Sequence, residues 1–464
     1  MASYDLIVIG GGPGGYVGAI RAAQLGKKVA CIENDRAGGT CLNWGCIPTK
    51  ALLKNAELYH TLSHRAAEFG LNIEGLSYDW EKVIGRSRQV SDKLAGGIEF
   101  LFKKNKIDYI RGTGGLAANG KVEVIDAEGK SEIHTAANVL IATGCVSRGL
   151  PFLPFDGEKV IGSKDAMTLK KQPKSMVIIG AGAIGIEFAY FFSSYGTEVT
   201  VIEMMDRILP VEDSEVSAAL QKSLAKHGIK FHTSTKTAAA ETTENGVRLT
   251  IEPAAGGDQQ SIEAEVCLVA VGVAPVLPKN AEQLKLTDRG YIEIDARYQT
   301  NLPNVYAAGD IIGPPWLAHV ASYEATQAVE GMFNPQAKPK KVTLFPGCTY
   351  CHPEVASVGL TEDACKEQKL DYRVGKFPFA ASGRALAVAD AEGFVKIIFD
   401  KKHGEILGAH IIGAGATELI AELTLAMNLE ATNEEIAATI HAHPTLAEAI
   451  HEATEDAYGH AVHI

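Results

Sequence analysis

The sequence predicts an α/β fold with an α+β C-terminal domain, its α/β part built from two Rossmann-like segments. Three observations predict it. A pattern of apolar strand, glycine turn, helix and second apolar strand occupies residues 5–35 and returns at 175–206. Further short apolar runs that end in small residues stand at 138–144, 265–272 and 304–310. From about residue 340 the pattern changes to strands and helices without such a turn.

The bulk properties narrow the class. A chain of 464 residues exceeds one ordinary core, so two to four domains are expected. The apolar share is 46% and the charged share 22%, both ordinary for a globular chain in water. The net charge of −12, from 44 basic and 56 acidic side chains, argues against nonspecific binding to nucleic acid or anionic membranes. The opening "MASYDLIVIGGG" passes directly into a strand and glycines, so it does not read as a secretory signal. The most membrane-like stretch, "MVIIGAGAIGIEFAYFF" at 176–192, is short for a span and carries Glu187. A soluble, cytoplasmic protein without a membrane partner is the expectation.

The first copy reads "DLIVIGGGPGGYVGAIRAAQLGKKVACIEND" and the second "SMVIIGAGAIGIEFAYFFSSYGTEVTVIEMMD". Gly10, Gly12 and Gly15 correspond to Gly180, Gly182 and Gly185, and Glu33 corresponds to Glu203. The first glycine permits a tight turn, the second lets backbone approach a pyrophosphate, and the third lets helix and strand pack closely. The helix start then offers unpaired N–H groups and a positive dipole end to phosphate. The acid at the end of the second strand suits a ribose hydroxyl and repels a 2′-phosphate. One glycine turn is a weak signal; two complete copies point to two dinucleotides, a flavin and a nicotinamide cofactor. In "NVYAAGD", Asp310 fits either a sugar or ribityl hydroxyl or a helix N-cap.

Between the copies lies "GGTCLNWGCIPTKALL", residues 38–53, with Cys41 and Cys46 five positions apart. Five residues of regular helix rise ~7.5 Å, and a disulfide wants Cα atoms within ~7 Å. Gly45 allows an irregular start that brings them closer. Beside a flavin site, a pair that cycles between disulfide and dithiol is favoured over two buried thiols. The attacking thiolate needs nearby positive charge, which Lys50 offers. Eight cysteines are too sparse for a secreted disulfide framework. Cys348 and Cys351 form a Cys-x-x-Cys beside His352, but no second ligand pair accompanies them. They read as small residues in or near a strand, and no metal is expected.

In the C-terminal part, "GFVKIIFDKKHGEILGAHIIG" (393–413) reads as antiparallel strands joined by a turn at "KKHGE". "ATELIAELTLAMNLEAT" (416–432) has helical periodicity, a second helix is expected after Asn433, and "NPQAKPKK" (334–341) reads as a linker. In "IHAHPTLAEAIHEA" (440–453), His443 precedes Pro444, which favours an extended residue at a helix boundary. Glu448 lies five residues on, placed to orient an imidazole. His441 and His451 compete for the same role, and residue types alone leave the choice open.

Taken together, these motifs resemble the disulfide-reducing flavoenzymes of the pyridine-nucleotide family, over essentially the whole chain. Within that family they look most like the enzymes that oxidise dihydrolipoamide, the E3 component of 2-oxo acid dehydrogenase complexes. The resemblance rests on the cysteine motif, both glycine turns, "NVYAAGD", "HPEVASVGLTE" (352–362) and "HAHPTLAEA" (441–449). It implies an FAD domain at 1–146, an NAD domain at 147–274, a central domain at 275–341 and an interface domain at 342–464 that forms a homodimer. It implies that Cys41 meets substrate and Cys46 faces the flavin, with His443 as the base, oriented by Glu448 and serving the partner chain's cysteines. Lys50 and Glu187 match the ion pair beside the reactive end of the flavin. Glu33, Thr40, Gly114, Asp310 and Ala318 match FAD-contacting positions. Glu203 matches the NAD ribose ligand, and Gly272 is a further cofactor position. The implied partners are lipoyl domains of an E2 acyltransferase or a glycine-cleavage H protein, which carry the dihydrolipoamide.

Three departures stand out. Trp44 replaces the usual small aliphatic residue between the cysteines, and "ATGCVSRGLPF" (142–152) and "VGVAPVL" (271–277) differ from the usual continuations. None removes a group the chemistry needs. Glutathione-type reductases would show basic residues after the second copy, where this chain has "VIEMMDRIL". Mercuric reductases would show a C-terminal cysteine pair, where "GHAVHI" stands. A flavin-binding subunit with an idle dithiol is the remaining alternative.

Overall fold

Each duplicated segment builds the centre of its own parallel sheet. In the computed structural model, which describes residues 2–118 and 121–464, the chain divides into two units. The first comprises residues up to Ala51, Ile84–Arg148 and Gly272–Thr343. The second comprises Leu52–Val83, Gly149–Val271 and Leu344–Ile464.

In the first unit, strand Ser3–Ile9 lies between Val29–Glu33 and Ser131–Ile141, parallel to both. Asp108–Arg111 extends one edge, and Val305–Ala307 pairs with Ser131–Ile141. Leu6, Ile7 and Val8 are buried on both faces, which is why this strand reads as a continuous apolar run. Helix Pro13–Gln24 has Pro at its start and buries a face of Gly14, Gly15, Gly18, Ala19 and Ala22. Those small residues permit close packing: a Cβ at Gly18 would stand 2.8 Å from Leu140 Cδ2.

The second unit holds the parallel sheet of the second copy, in the order Lys230–His232, Glu198–Ile202, Ser175–Ile179, Val266–Val269, Val160–Ile161. The membrane-like stretch resolves into strand Ser175–Ile179 and helix Ala183–Ser194. That helix is apolar nearly all round because it is buried nearly all round, with Phe191 and Phe192 packed on Trp80 at 5.6 and 5.9 Å. No helix among the described residues is long and apolar enough to cross a membrane. An antiparallel sheet of Thr235–Thr243, Gly246–Pro253 and Gln260–Ala264 lies in the same unit.

The C-terminal part of this unit is α+β. Its sheet runs Pro346–Thr349, Glu354–Gly359, Ile406–Gly413, Phe394–Asp400, Tyr372–Pro378, all antiparallel. The expected hairpin forms around "KKHGE", and helices Ala416–Asn428 and Asn433–Ala438 follow. The second starts where expected because Thr432 and Glu435 cap it reciprocally.

Candidate active site

The two glycine turns have the same geometry. Gly10 and Gly180 both sit at φ +103°, and a Cβ would meet the carbonyl oxygens of Ala142 at 2.3 Å and Ala270 at 2.4 Å. Gly15 and Gly185 press on the carbonyls of Gly10 and Gly180, at 1.8 and 2.0 Å from an added Cβ. Gly12 and Gly182 are the N-caps of helices Pro13–Gln24 and Ala183–Ser194, neither with a side-chain cap. A Cβ at Gly182 meets nothing within 4 Å, so room remains in front of that helix start. Each acid is fastened alike. Glu33 accepts from Gly11 N at 2.7 Å and Asp35 N at 2.8 Å, and Glu203 accepts from Ala181 N at 2.7 Å and Met205 N at 2.8 Å. Open helix starts with an oriented carboxylate at the second strand suit the phosphates and ribose of a dinucleotide, so the residues fit both FAD and NAD.

The cysteine loop is not one helix. Helix Gly39–Trp44 stops, Gly45 takes φ −151° and ψ −116°, and helix Cys46–His64 begins. Glycine leaves room at this break, because a Cβ at 45 would lie a tight 3.1 Å from Thr40 O. The break brings the two sulfurs into hydrogen-bonding contact. That contact, then burial, pushes the Cys41 thiol up, while the charge of Lys50 opposes the shift. Tyr16, on the glycine-turn helix, packs close enough for burial and then the two thiols to raise its phenol. Thr49 Oγ1 donates to Gly45 O at 2.7 Å and fixes the break.

Other candidates also lie in the first unit. Asp310 opens a short 3₁₀ turn whose cap is Gly309, so the N-cap reading fails. Burial pushes the Asp310 carboxyl up to about 6, a state that hydroxyl donors from a bound group would relieve. Ala318 opens helix Ala318–Phe333, and Gly114 packs so tightly that a Cβ would stand 2.6 Å from Ile9 Cγ2. Thr40 is exposed on the cysteine helix. Gly272 has φ +100° and accepts from Arg148 N at 3.0 Å. The two departing segments pair with each other: Cys145–Ser147 and Val273–Pro275 form an antiparallel ribbon. Cys145 Sγ donates to Asp310 O at 3.3 Å.

In the second unit, Glu187 is buried and accepts from Tyr350 N at 3.0 Å. Cys348 lies in strand Pro346–Thr349, and buried Cys351 donates to Pro353 O at 3.3 Å. Among the described residues no group of His, Cys, Asp or Glu could hold a metal ion. The three candidate imidazoles differ in burial. His441 is buried against Glu422 at 2.7 Å, and the His451 ring lies 6.1 Å from it. His443 is 80% exposed, with Nδ1 2.9 Å from Glu448 Oε1. Glu448 Oε2 accepts from Thr445 N at 2.8 Å, which, with His443, holds this carboxyl below its ordinary range. This contact engages Nδ1 of His443 on an exposed ring. Sequence reasoning missed Tyr16, Thr49 and Tyr350, whose residue types carry no spacing signal.

The comparisons agree with this architecture. The family model described as pyridine nucleotide-disulphide oxidoreductase matches residues 4–325, and that of its dimerisation domain matches 345–454. A dihydrolipoyl dehydrogenase from Rhizobium etli is 46% identical, covering 98% of both chains. A mitochondrial dihydrolipoyl dehydrogenase from Pisum sativum is 43% identical over 99% of this chain and 92% of its own. The crystal structure of LpdA from Mycobacterium tuberculosis superposes with a TM-score of 0.89 at 25% identity, covering 98% of this chain and 99% of that one. The chain belongs to the pyridine nucleotide-disulphide oxidoreductase family.

Proposed function

We propose that the chain oxidises dihydrolipoamide to lipoamide with FAD and NAD⁺, through a disulfide between Cys41 and Cys46. The contact of the two sulfurs at the Gly45 break, in the same unit as a glycine turn of dinucleotide geometry, carries the reading. The dihydrolipoyl dehydrogenases of Rhizobium etli and Pisum sativum, alike over nearly the whole chain, support it. Residues 1–146 and 275–341 hold FAD, 147–274 hold NAD, and 342–464 form the homodimer interface.

His443 Nε2 takes a proton from one substrate thiol while Glu448 steadies the imidazolium through Nδ1. The thiolate attacks Cys41 Sγ, forming a mixed disulfide and releasing Cys46 as thiolate beside the charge of Lys50. The second substrate thiol then breaks the mixed disulfide, leaving lipoamide and the reduced pair. FAD, when bound, would supply the acceptor for this electron pair and the hydride chemistry toward NAD⁺. Glu33, Thr40, Gly114, Asp310 and Ala318 hold FAD, with Lys50 at its reactive end. Glu203 holds the NAD ribose and disfavours a 2′-phosphate, and Gly272 lines that site. In the homodimer each chain's His443 serves the thiols of the other. The substrate arrives on lipoyl domains of an E2 acyltransferase or an H protein, and the dithiol suits a reducing compartment, the cytoplasm.

Purified FAD-loaded protein is assayed for NAD⁺ reduction by dihydrolipoamide, beside glutathione disulfide reduction by NADPH. Turnover in the first assay is expected. Turnover in the second alone, or in neither, overturns the reading.

A further inference from the structure

We propose that Trp44 is a positioning residue that favours the disulfide over the dithiol at Cys41 and Cys46. The proposal rests on the redox role given to that pair above. Whether two thiols five residues apart meet depends on residues 42–45, and these are held from several sides. Buried Asn43 donates through Nδ2 to Ala37 O and Gly39 O, both at 3.0 Å. Arg88 Nη1 donates to Asn43 O at 2.7 Å, capturing a carbonyl at the end of the short helix. The same guanidinium covers the Trp44 ring, 5.0 Å from its centroid. Trp44 Nε1 donates to Asp35 Oδ2 at 2.6 Å, while Asp35 N donates to the Glu33 carboxylate at 2.8 Å.

Trp44 is therefore the point where the cysteine loop joins the strand end that carries Glu33. A small aliphatic side chain at this position has neither the N–H for Asp35 nor the ring face for Arg88. Fixing the loop keeps the thiols side by side and raises their effective concentration, which favours ring closure. In the exchange with dihydrolipoamide, the Cys41–Cys46 S–S bond breaks and the lipoamide S–S bond forms. Two electrons and two protons pass from the substrate to the cysteines. A looser loop shifts this exchange toward the enzyme dithiol.

The test equilibrates holoenzyme anaerobically with fixed ratios of dihydrolipoamide to lipoamide, quenches in acid, alkylates, and counts free Cys41 and Cys46 by mass spectrometry. Trp44→Val is expected to raise the dithiol-to-disulfide ratio about tenfold, equivalent to about 30 mV. Trp44→Phe keeps the ring, loses the N–H, and is expected to raise the ratio about threefold. It decides the matter if Trp44→Val fails to fold. Ratios within twofold of the parent overturn the proposal, and a lower Tm with an unchanged ratio does so equally. A parent pair that never exchanges with dihydrolipoamide overturns the redox assignment instead.

Discussion

His443 Nδ1 and Glu448 Oε1 stand 2.9 Å apart, and Thr445 N, at 2.8 Å, holds the other carboxylate oxygen. In the proposed mechanism the carboxylate fixes the ring and leaves Nε2 to take the proton. A positioned base contributes roughly 10²–10⁴-fold. His443→Gln is expected to lower kcat/KM for dihydrolipoamide by that range, and Glu448→Gln by about tenfold. Steady-state NAD⁺ reduction measures both. Oxidation of NADH by ferricyanide, which needs no thiol base, separates a lost base from a lost fold. Full turnover by His443→Gln would refute the assignment.

Glu203 is held by Ala181 N and Met205 N as Glu33 is held by Gly11 N and Asp35 N. Its side chain is therefore held in one orientation, which the proposed ribose contact would use. Glu203→Ala is expected to raise the KM for NAD⁺ about tenfold, about 1.4 kcal/mol, the value of a charge-assisted hydrogen bond. It also removes the charge that repels a 2′-phosphate, so the preference for NAD⁺ over NADP⁺ narrows. Initial rates with both cofactors decide; an unchanged preference counts against the role.

What was legible follows from where constraint is local. Gly10 and Gly180 stand at φ +103° with carbonyls against them, so glycine there is compulsory and readable. The Cys41–Gly45–Cys46 break is readable because a glycine stands directly between the two helices. The choice among His441, His443 and His451 was not. It turns on Glu422, 19 residues before His441, burying one ring while another stays exposed. The partners of Trp44 were equally hidden: Asp35 and Arg88 come from a strand end and a distant helix. Long-range polar pairing leaves no periodicity.

The second unit carries an acid-sensitive cluster outside the proposed chemistry. The His60 ring stacks on His64 at 4.5 Å and lies 4.6 Å from His227. Burial first, then His227, His64, His352 and Arg65, hold His60 down to about 4. Lys226 adds positive charge near His227, while Asp390, Glu57 and Glu392 supply the nearby carboxylates. A histidine depressed on folding contributes stability above its unfolded pKa of ~6.5, lost as pH falls toward the folded value. Tm is expected to drop between pH 6.5 and 4, and less steeply in His60→Leu. Parallel curves for parent and variant would remove His60 from the account.

Lys396 is fully buried in the middle of strand Phe394–Asp400, with Nζ 3.0 Å from Asp213 Oδ1, 2.8 Å from Glu215 Oε2 and 2.7 Å from Glu362 Oε2. Burial alone would lower this amine, but the hydrogen bonds to Glu215, Glu362 and Asp213 outweigh it and raise it above the ordinary lysine value. The Asp213 side chain is also wholly buried. Breaking a buried pair from one side leaves a charge without its partner, typically a loss of about 3–5 kcal/mol. Lys396→Met is expected to lose stability in that range by urea unfolding. Lys396→Met with Asp213→Asn should recover part of it, because the stranded charge goes with the lysine. If the double variant is less stable than Lys396→Met alone, the carboxylate was not the stranded charge. The capping bond donated by Glu215 N to Asp213 Oδ1, at 3.1 Å, then outweighs the ion pair.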